Sequence, residues 1–321
     1  MGAPLVAAEQ EHRAGPRAGL GLTIHAGEEF RSLIEGMRAV DEAVLFSGME
    51  AGDRLGHALS LGLDPRAWAD THADVVLQPR LARLDDLVWI LPRLSRLGLG
   101  ALADRAEAEM EKHASILYGK RCTRTQLPTQ RQLYRAWELR KYLPEEEELP
   151  AETPLMQLIR RMQAEGLRHF GDARDLWKIY LEDEDFFAEG EKVIEVNVGG
   201  EWPDALRKVQ DDALRDLARR GIAIEANPSS NVAIAPISRY QSRPIFRWFP
   251  PDATFNGQGP AVVVGSDDPA IFGAELYHDY AALACAAEQL GYPKTQIHDW
   301  LWRLREVGLR HLFGAEPGVQ D

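Results

Sequence analysis

The sequence predicts an α/β protein whose parallel strands end at one common edge. Short apolar runs typical of strands each give way to a polar cluster, and amphipathic helical patterns lie between them. In a parallel α/β barrel the carboxyl ends of the strands form one rim, where catalytic groups converge. With 321 residues, the chain is long enough to bury a sizeable core.

The first polar cluster follows the apolar run at residues 21–24 and reads His25-Ala26-Gly27-Glu28. It places an imidazole and a carboxylate three residues apart, and these could serve as a metal ligand and a nearby acid. By itself, a histidine at a strand end is more typical of a hydrogen-bonded structural residue. The cluster therefore needs support from the rest of the chain.

The next elements repeat this alternation. Apolar residues at positions 30, 33, 34 and 37 predict an amphipathic helix over about residues 29–39. The apolar run at residues 43–46 predicts a second strand. A polar loop, Asp53-Arg54-Leu55-Gly56-His57, follows that run.

Residues 65–202 are almost entirely helical in pattern, with clear apolar periodicity at 81–91 and 155–162. This stretch is too long for an ordinary barrel loop. It is predicted to be a mostly helical insertion between two barrel strands, serving either as an accessory subdomain or as an assembly surface and site cover. The acidic run at 145–148 is typical of a solvated loop.

Two further strands complete the pattern. An amphipathic helix over 204–220 ends at Gly221, as a helix commonly does at glycine, and a strand at 222–225 follows it. That strand breaks into the turn at 227–231. A valine-rich strand at 261–265 is typical of a buried parallel strand and ends in Ser266-Asp267-Asp268-Pro269, before closing helices at 274–290 and 294–313.

The four strand ends, in this order, resemble the second half of the adenosine deaminase family. That family's signatures are His-Ala-Gly-Glu, Gly-His, Pro-x-Ser-Asn and Ser/Thr-Asp-Asp-Pro, which match residues 25–28, 56–57, 228–231 and 266–269. The resemblance covers about residues 20–64 and 203–313. It implies the C-terminal half of a (β/α)8 metal-dependent hydrolase barrel with a large, mostly helical insertion.

The resemblance also divides the chain into regions. Residues 1–19 would be an irregular leader, 20–64 would hold the region of barrel strands 5–6, 65–202 the insertion, and 203–321 the region of strands 7–8 with the closing helices. The family's first strand carries His-x-His, but no two of the nine histidines here lie two apart. We therefore expect a homo-oligomer, or a partner chain that supplies the first half-barrel with His-x-His.

The implied chemistry is zinc-dependent hydrolytic deamination of adenosine or an adenine nucleotide to the inosine product. By the resemblance, His25 and Asp267 would bind Zn2+, Glu28 would donate a proton to ring N1, His57 would orient the attacking hydroxide, and Asp268 would bond the purine N7 edge. The alternative is a catalytically inactive deaminase-like scaffold or assembly subunit. A finer similarity is to the deaminase subunit of bacterial RADAR-type antiphage systems, which would imply a role in antiviral defence.

Structural alternatives stand beside each of these roles. Asp267 could cap a strand end, Glu28 could stabilise the start of the next helix through its charge, and His57 could be a core histidine bonded to backbone. Arg54 is expected to be structural, paired with Asp53 or with a carboxylate at the rim. The turn at 227–231 is expected to shape its loop rather than contact substrate.

Composition excludes several other classes of protein. The formal net charge is −13, from 37 Lys+Arg and 50 Asp+Glu, which argues against an extended nucleic-acid-binding face. No run of 18 apolar residues is present, so no membrane span is expected. Two distant cysteines without a Cys-x-x-Cys motif favour a reduced, cytoplasmic protein. The sequence contains neither a P-loop nor the Pro-Cys-x-x-Cys motif of cytidine-type deaminases.

Overall fold

The computed structural model of the chain describes residues 21–121, 127–142, 173–234, 244–252, 259–267 and 275–312. Four predicted features lie outside these ranges: the leader at 1–19, the acidic run at 145–148, the helix at 155–162, and Asp268.

Within the described ranges the strands form one parallel sheet and one antiparallel pair. The strands are β1 Thr23–Ala26, β2 Arg54–His57, β3 Val75–Pro79, β4 Val193–Asn197, β5 Ala223–Ala226 and β6 Val262–Val264. The parallel sheet has the order β1-β2-β5-β6, and β3 pairs with β4 in the antiparallel sheet. This confirms the prediction of an α/β protein with a parallel sheet.

The pairing register gives the parallel sheet two unlike faces. Residues in register across strands share a face, because side chains alternate along each strand. One row of partners is entirely apolar: Ile24, Leu55, Ile224 and Val262. The neighbouring row carries polar groups: His25, Gly56, Glu225 and Val263. The first face packs into the core. The second face carries His25, close to the strand ends where His57 lies.

Helices account for most of the remaining described residues. They are α1 Leu33–Phe46, α2 Pro65–Thr71, α3 Arg80–Arg96, α4 Gly100–Tyr118, α5 Gln130–Glu138, α6 Ala173–Glu182, α7 Glu184–Gly190, α8 Trp202–Arg220, α9 Pro228–Ile234, α10 Ile245–Trp248, α11 Leu276–Gln289 and α12 Lys294–Arg310. Among the described helices, none joins enough length to enough apolar character to cross a bilayer.

The first helix differs from its prediction at both ends. It begins after Ser32, whose Oγ accepts the Glu35 N–H at 3.0 Å, and its predicted apolar residues Leu33, Ile34 and Met37 are at most 2% exposed. It then continues to Phe46, so the strand predicted at residues 43–46 is wrong. Those residues extend the apolar helical face, and a short apolar run does not by itself distinguish strand from helix.

The second strand is Arg54–His57, within the segment that was interpreted as a polar loop. Its Leu55 is fully buried and its pairing with β1 and β5 is parallel. The strand was missed because glycine, arginine and histidine interrupt its apolar pattern. The predicted position of its carboxyl end, at His57, is unaffected.

The chain between β2 and β5 combines helices with the β3–β4 pair, although β2 and β5 are neighbours in the sheet. The predicted helix at 81–91 lies within α3, whereas the β3–β4 pair was not among the predicted elements. β3 alternates exposed and buried residues over only four positions, from Val75 to Gln78, and its buried Gln78 is polar. That signal is too short to detect among helical patterns.

A buried polar network ties this middle segment to the start of α1. The Asp86 carboxylate on α3 is fully buried and accepts hydrogen bonds from Ser32 Oγ at 3.0 Å, Arg38 Nε at 2.9 Å and Gln78 Nε2 at 2.7 Å. Burial raises the pKa of Asp86, although the Arg38 guanidinium opposes that shift. Since each partner satisfies a different lone pair, the network fixes α3 and β3 against α1.

We predict that Glu109 makes stability depend on pH in the acid range. Burial alone would raise the Glu109 pKa, but two 2.8 Å bonds from the buried Arg83 guanidinium bring it to about 2, below its usual 4.5. Because the folded-state pKa is depressed, its stabilisation is present above pH 4.5 and is lost as pH falls towards 2.

Glu109→Gln should therefore lower stability by about 1–2 kcal/mol at pH 7, less than for a fully buried pair, since Glu109 is partly exposed. Urea unfolding at several pH values measures this. The difference from wild type should shrink between pH 4.5 and 2, while Glu111→Gln, at an exposed position of the same helix, should change little. A constant difference across that range would contradict the assignment.

Candidate metal centre

Three potential metal ligands meet at the carboxyl edge of the parallel sheet. His25 lies in β1, His57 ends β2, and Asp267 follows β6. Each offers one ligand atom, and these atoms all lie within 4.8 Å of one another. His57 Nε2 is 3.2 Å from His25 Nδ1 and 3.5 Å from Asp267 Oδ2. The structure thus brings together residues that are up to 242 positions apart in the chain, from 267 − 25.

A glycine makes room for His25. Gly56 is the register partner of His25 on β2, and a Cβ built at Gly56 would lie 2.1 Å from His25 Cδ2. Real Cβ atoms are not found so close to another side chain. The missing side chain therefore lets the His25 ring cross over β2, where it meets His57 edge-on with ring centroids 4.5 Å apart.

The backbone turns sharply at this edge. His57, Ala58 and Asp267 all have positive φ angles, 64°, 46° and 57°. Non-glycine residues in this region cost on the order of 1–3 kcal/mol each and cluster at functional sites. These turns direct the side chains of His57 and Asp267 towards the same space.

His57 is buried and has a polar atom close to each ring nitrogen. It is 1% exposed, its Nδ1 lies 2.7 Å from Asn231 Oδ1, and its Nε2 lies 2.8 Å from Glu28 Oε2. Burial lowers the pKa of His57, but Glu28, Asn231 and the Asp267 charge outweigh burial and raise it above its usual value. The expectation of an ordinary core histidine bonded to backbone does not describe this environment.

Glu28 lies beside the ligands in the turn after β1. Its side chain is 23% exposed, and its Oε2 is buried without a well-aligned hydrogen bond in the described part of the chain, despite its short distance to His57 Nε2. The capping of α1 falls to Ser32 instead of Glu28. The carboxyl group of Glu28 therefore lies at the site, and its Oε2 is a buried acceptor that a bound ligand could satisfy.

Two buried asparagines of the third polar cluster, at 227–231, complete the surroundings of His57. Asn227 is fully buried, with Nδ2 3.5 Å from His57 Nε2, and Asn231 on α9 is 4% exposed. The sequence favoured a purely loop-shaping role for this turn, and so missed the contact of Asn231 with His57. The i, i+4 spacing of the two asparagines at a helix start was the signal that could have placed them on one side.

Arg54 has the structural role that was expected. Its Nη1 lies 3.3 Å from Glu225 Oε2, across the β2–β5 pairing. Both side chains share the sheet face of His25, below the strand ends. This ion pair joins the two strands whose ends carry His57 and Asn227.

The donor set suits zinc. Two imidazole nitrogens and one carboxylate oxygen match the three protein ligands of many catalytic zinc sites, which keep a fourth position open. An Nδ1–H on His57 would donate to Asn231 Oδ1, and a neutral ring would then turn its Nε2 lone pair towards the other ligands. His25, His57 and Asp267 could thus hold a divalent metal, with Glu28 beside it.

Comparisons with known proteins agree with this geometry. The adenosine deaminase family model matches residues 205–303, from α8 to most of α12. This part of the chain is therefore similar to the adenosine deaminase family. The matched part includes Asp267, whereas His25, Glu28 and His57 lie outside it and reach Asp267 through the pairing of the sheet.

Individual relatives are deaminases. An adenosine deaminase from Serratia proteamaculans is 31% identical over 36% of this chain and 31% of its own length. An adenine deaminase from Sinorhizobium medicae is 31% identical over 35% of this chain and 31% of its own length. An aminodeoxyfutalosine deaminase from Streptomyces coelicolor is 32% identical over 33% of this chain and 24% of its own length. The chain thus aligns with less than a third of the length of each.

We predict that Gly56→Ala disrupts the metal site. The new Cβ would displace the His25 ring, and misplacing a ligand should weaken zinc binding by about 10–100-fold, as loss of a ligand's supporting contacts does. Competition with a chromophoric chelator measures the zinc dissociation constant. Gly308→Ala on α12 is the matched control, because nothing lies within 4 Å of a Cβ there. Equal zinc affinity for both variants would exclude the role of Gly56.

Proposed function

We propose that the chain carries part of the active site of a zinc-dependent deaminase, which converts adenosine or an adenine nucleotide to the inosine product by hydrolysis. The observation that carries this proposal is the meeting of His25, His57, Asp267 and Glu28 at one edge of a parallel sheet. The relatedness to deaminases supports it. A purine is a small ligand, so the net charge of −13 does not oppose its binding.

Zinc would be held by His25 and Asp267, with His57 Nε2 close enough to act as a third ligand or to orient the attacking oxygen. A bound zinc ion lowers the pKa of water towards about 7, which makes hydroxide available at neutral pH. The protein's own contribution is to fix these three side chains on a rigid sheet edge.

Glu28 would move the proton that the reaction needs. Its carboxyl group donates a proton to ring N1, which makes C6 electrophilic. A C6–O bond to water would then form, with one water proton returning to Glu28 and the other passing to the amino group. The C6–N bond would break, ammonia would leave, and N1 would keep its proton. Asp268 would bond the purine N7 edge.

The described sheet has β1 at one edge and β6 at the other. Parallel strands are normally covered and paired on both sides, so these edges favour further strands. We propose that these edges are covered in a homo-oligomer, or that a partner chain completes the barrel and brings the His-x-His ligands. The segment between β2 and β5 would then be an insertion in the barrel, of the kind found in RADAR-type deaminase subunits.

The second candidate is a deaminase-like scaffold without catalysis. The size of the segment between β2 and β5, with its buried core continuous with that of the sheet, favours an architectural role. The two candidates differ in what they require of Glu28, because a scaffold needs no proton donor.

We predict that Glu28→Gln, in the assembled enzyme, keeps zinc but loses about 10²–10⁴-fold in deamination rate, the usual contribution of a general acid. The assay follows conversion of adenosine and adenine nucleotides to their inosine products. Glu29→Gln is the matched control, since Glu29 is the exposed neighbour in the same turn. Wild-type turnover by Glu28→Gln would remove it from the mechanism, and no turnover by the wild-type assembly would favour the scaffold.

We predict that the chain alone binds zinc weakly, since the His-x-His ligands would come from elsewhere. His25→Ala and Asp267→Ala should each abolish the remaining binding. Equilibrium dialysis with metal analysis measures bound zinc per chain. Tight, stoichiometric zinc that survives both substitutions would place the metal at a different site.

A further inference from the structure

We propose that Asn231 is a positioning residue that fixes the tautomer and the ring orientation of His57. Its relevance to catalysis rests on the proposed function, but the contact itself does not. The side chain is 4% exposed and its Oδ1 lies 2.7 Å from His57 Nδ1, a short hydrogen bond between two buried groups.

The chemistry of the pair leaves one arrangement. An amide oxygen accepts and cannot donate, so the proton must lie on Nδ1 of the imidazole. A neutral ring then presents its Nε2 lone pair to the site. Asn227 favours the same tautomer, because its Nδ2–H can donate to that Nε2 from 3.5 Å.

The alternative tautomer would disrupt both contacts, although its Nε2–H could donate to Glu28 Oε2 at 2.8 Å, so Asn231 and Glu28 compete for the ring proton. With the proton on Nε2, Nδ1 and Asn231 Oδ1 would be two buried acceptors facing each other, and the Asn227 amide would face a donor. Unsatisfied buried polar groups cost free energy, so the protein favours the Nδ1–H form. Ring nitrogens that bind metals or orient ligands are commonly set in this way by the partner of the other nitrogen.

Asn231 is itself held by the closing helices. Asp279 on α11 is fully buried, and its Oδ1 accepts bonds from Ser229 N and Ser229 Oγ, each at 2.7 Å. Ser229 lies in the first turn of α9, two residues before Asn231. The position of the His57 ring therefore depends on a contact between α9 and α11 as well as on the end of β2.

The test is nuclear magnetic resonance of the full chain labelled with 15N-histidine and free of metal. The pH is raised until the His57 signals no longer change, which shows that its ring is neutral. Long-range 1H–15N correlations report which ring nitrogen carries the proton, and comparison with His57→Gln assigns the signals of His57. The wild type should have the proton on Nδ1. A wild-type His57 with its proton on Nε2 would overturn the proposal without any variant.

Asn231→Leu removes the acceptor at nearly constant volume, while Asn231→Asp keeps an acceptor. Asn231→Leu should shift His57 towards the Nε2–H form and weaken zinc binding by about 10–100-fold, and Asn231→Asp should retain the wild-type tautomer and affinity. Asn197→Leu, on the exposed side of β4, is the matched control and should change neither quantity. If Asn231→Leu does not fold, Asn231→Ala takes its place.

The outcomes separate this proposal from the proposed function. An unchanged tautomer in Asn231→Leu or Asn231→Ala would overturn the positioning role, even if zinc binds and deamination occurs. Conversely, failure of the wild type to bind zinc or to deaminate purines in its assembled form would overturn the proposed function. The tautomer measurement would still decide the role of Asn231.

Discussion

The parallel pairing of β1 with β2 determines the geometry of the whole site. Its register sets His25 opposite Gly56 and Ala26 opposite His57, so two imidazoles from separate strands end side by side. The pairings of β2 with β5 and of β5 with β6 then bring Asn227 and Asp267 to the same edge. A slip of one residue in either direction would turn His25 to the apolar face of the sheet.

Packing beneath the sheet maintains this register. The apolar row Ile24, Leu55, Ile224 and Val262 anchors four strands in one core, and the Arg54–Glu225 pair joins two of them on the opposite face. The middle segment contributes Asp86, whose buried carboxylate holds the start of α1 just beyond the turn that carries Glu28. The segment between β2 and β5 therefore helps to hold the helix that follows the Glu28 turn.

The sequence predicted the structure best where turn residues adjoin a clear apolar periodicity. The ends of β1, β5 and β6, the glycine that ends α8 and the helix at 81–91 followed from local pattern, because turn residues and apolar spacing act locally. The end of β2 at His57 followed from the resemblance instead, since the local pattern placed that strand at 43–46. Gly221 indeed adopts φ of 70° at that helix end. The resemblance supplied the roles of His25, Glu28, His57 and Asp267, which spacing alone could not assign.

Other features depend on contacts between distant residues and could not be predicted in this way. Residues 43–46 continue a helix because α3 and α8 cover their apolar face, and β3 is a strand because β4, more than a hundred residues later, pairs with it. The contact of Asn231 with His57 likewise spans 174 residues. In each case a contact with a residue far away in the chain determines the local structure, so the local sequence pattern is ambiguous.

The central claim is that the strand ends form one divalent metal site. Anomalous X-ray diffraction at the zinc absorption edge, from crystals of the zinc-loaded chain or its assembly, tests it most directly. The account predicts an anomalous peak bounded by His25, His57 and Asp267, with Glu28 beside it. A zinc peak elsewhere in the molecule, with none near these four side chains, would contradict it.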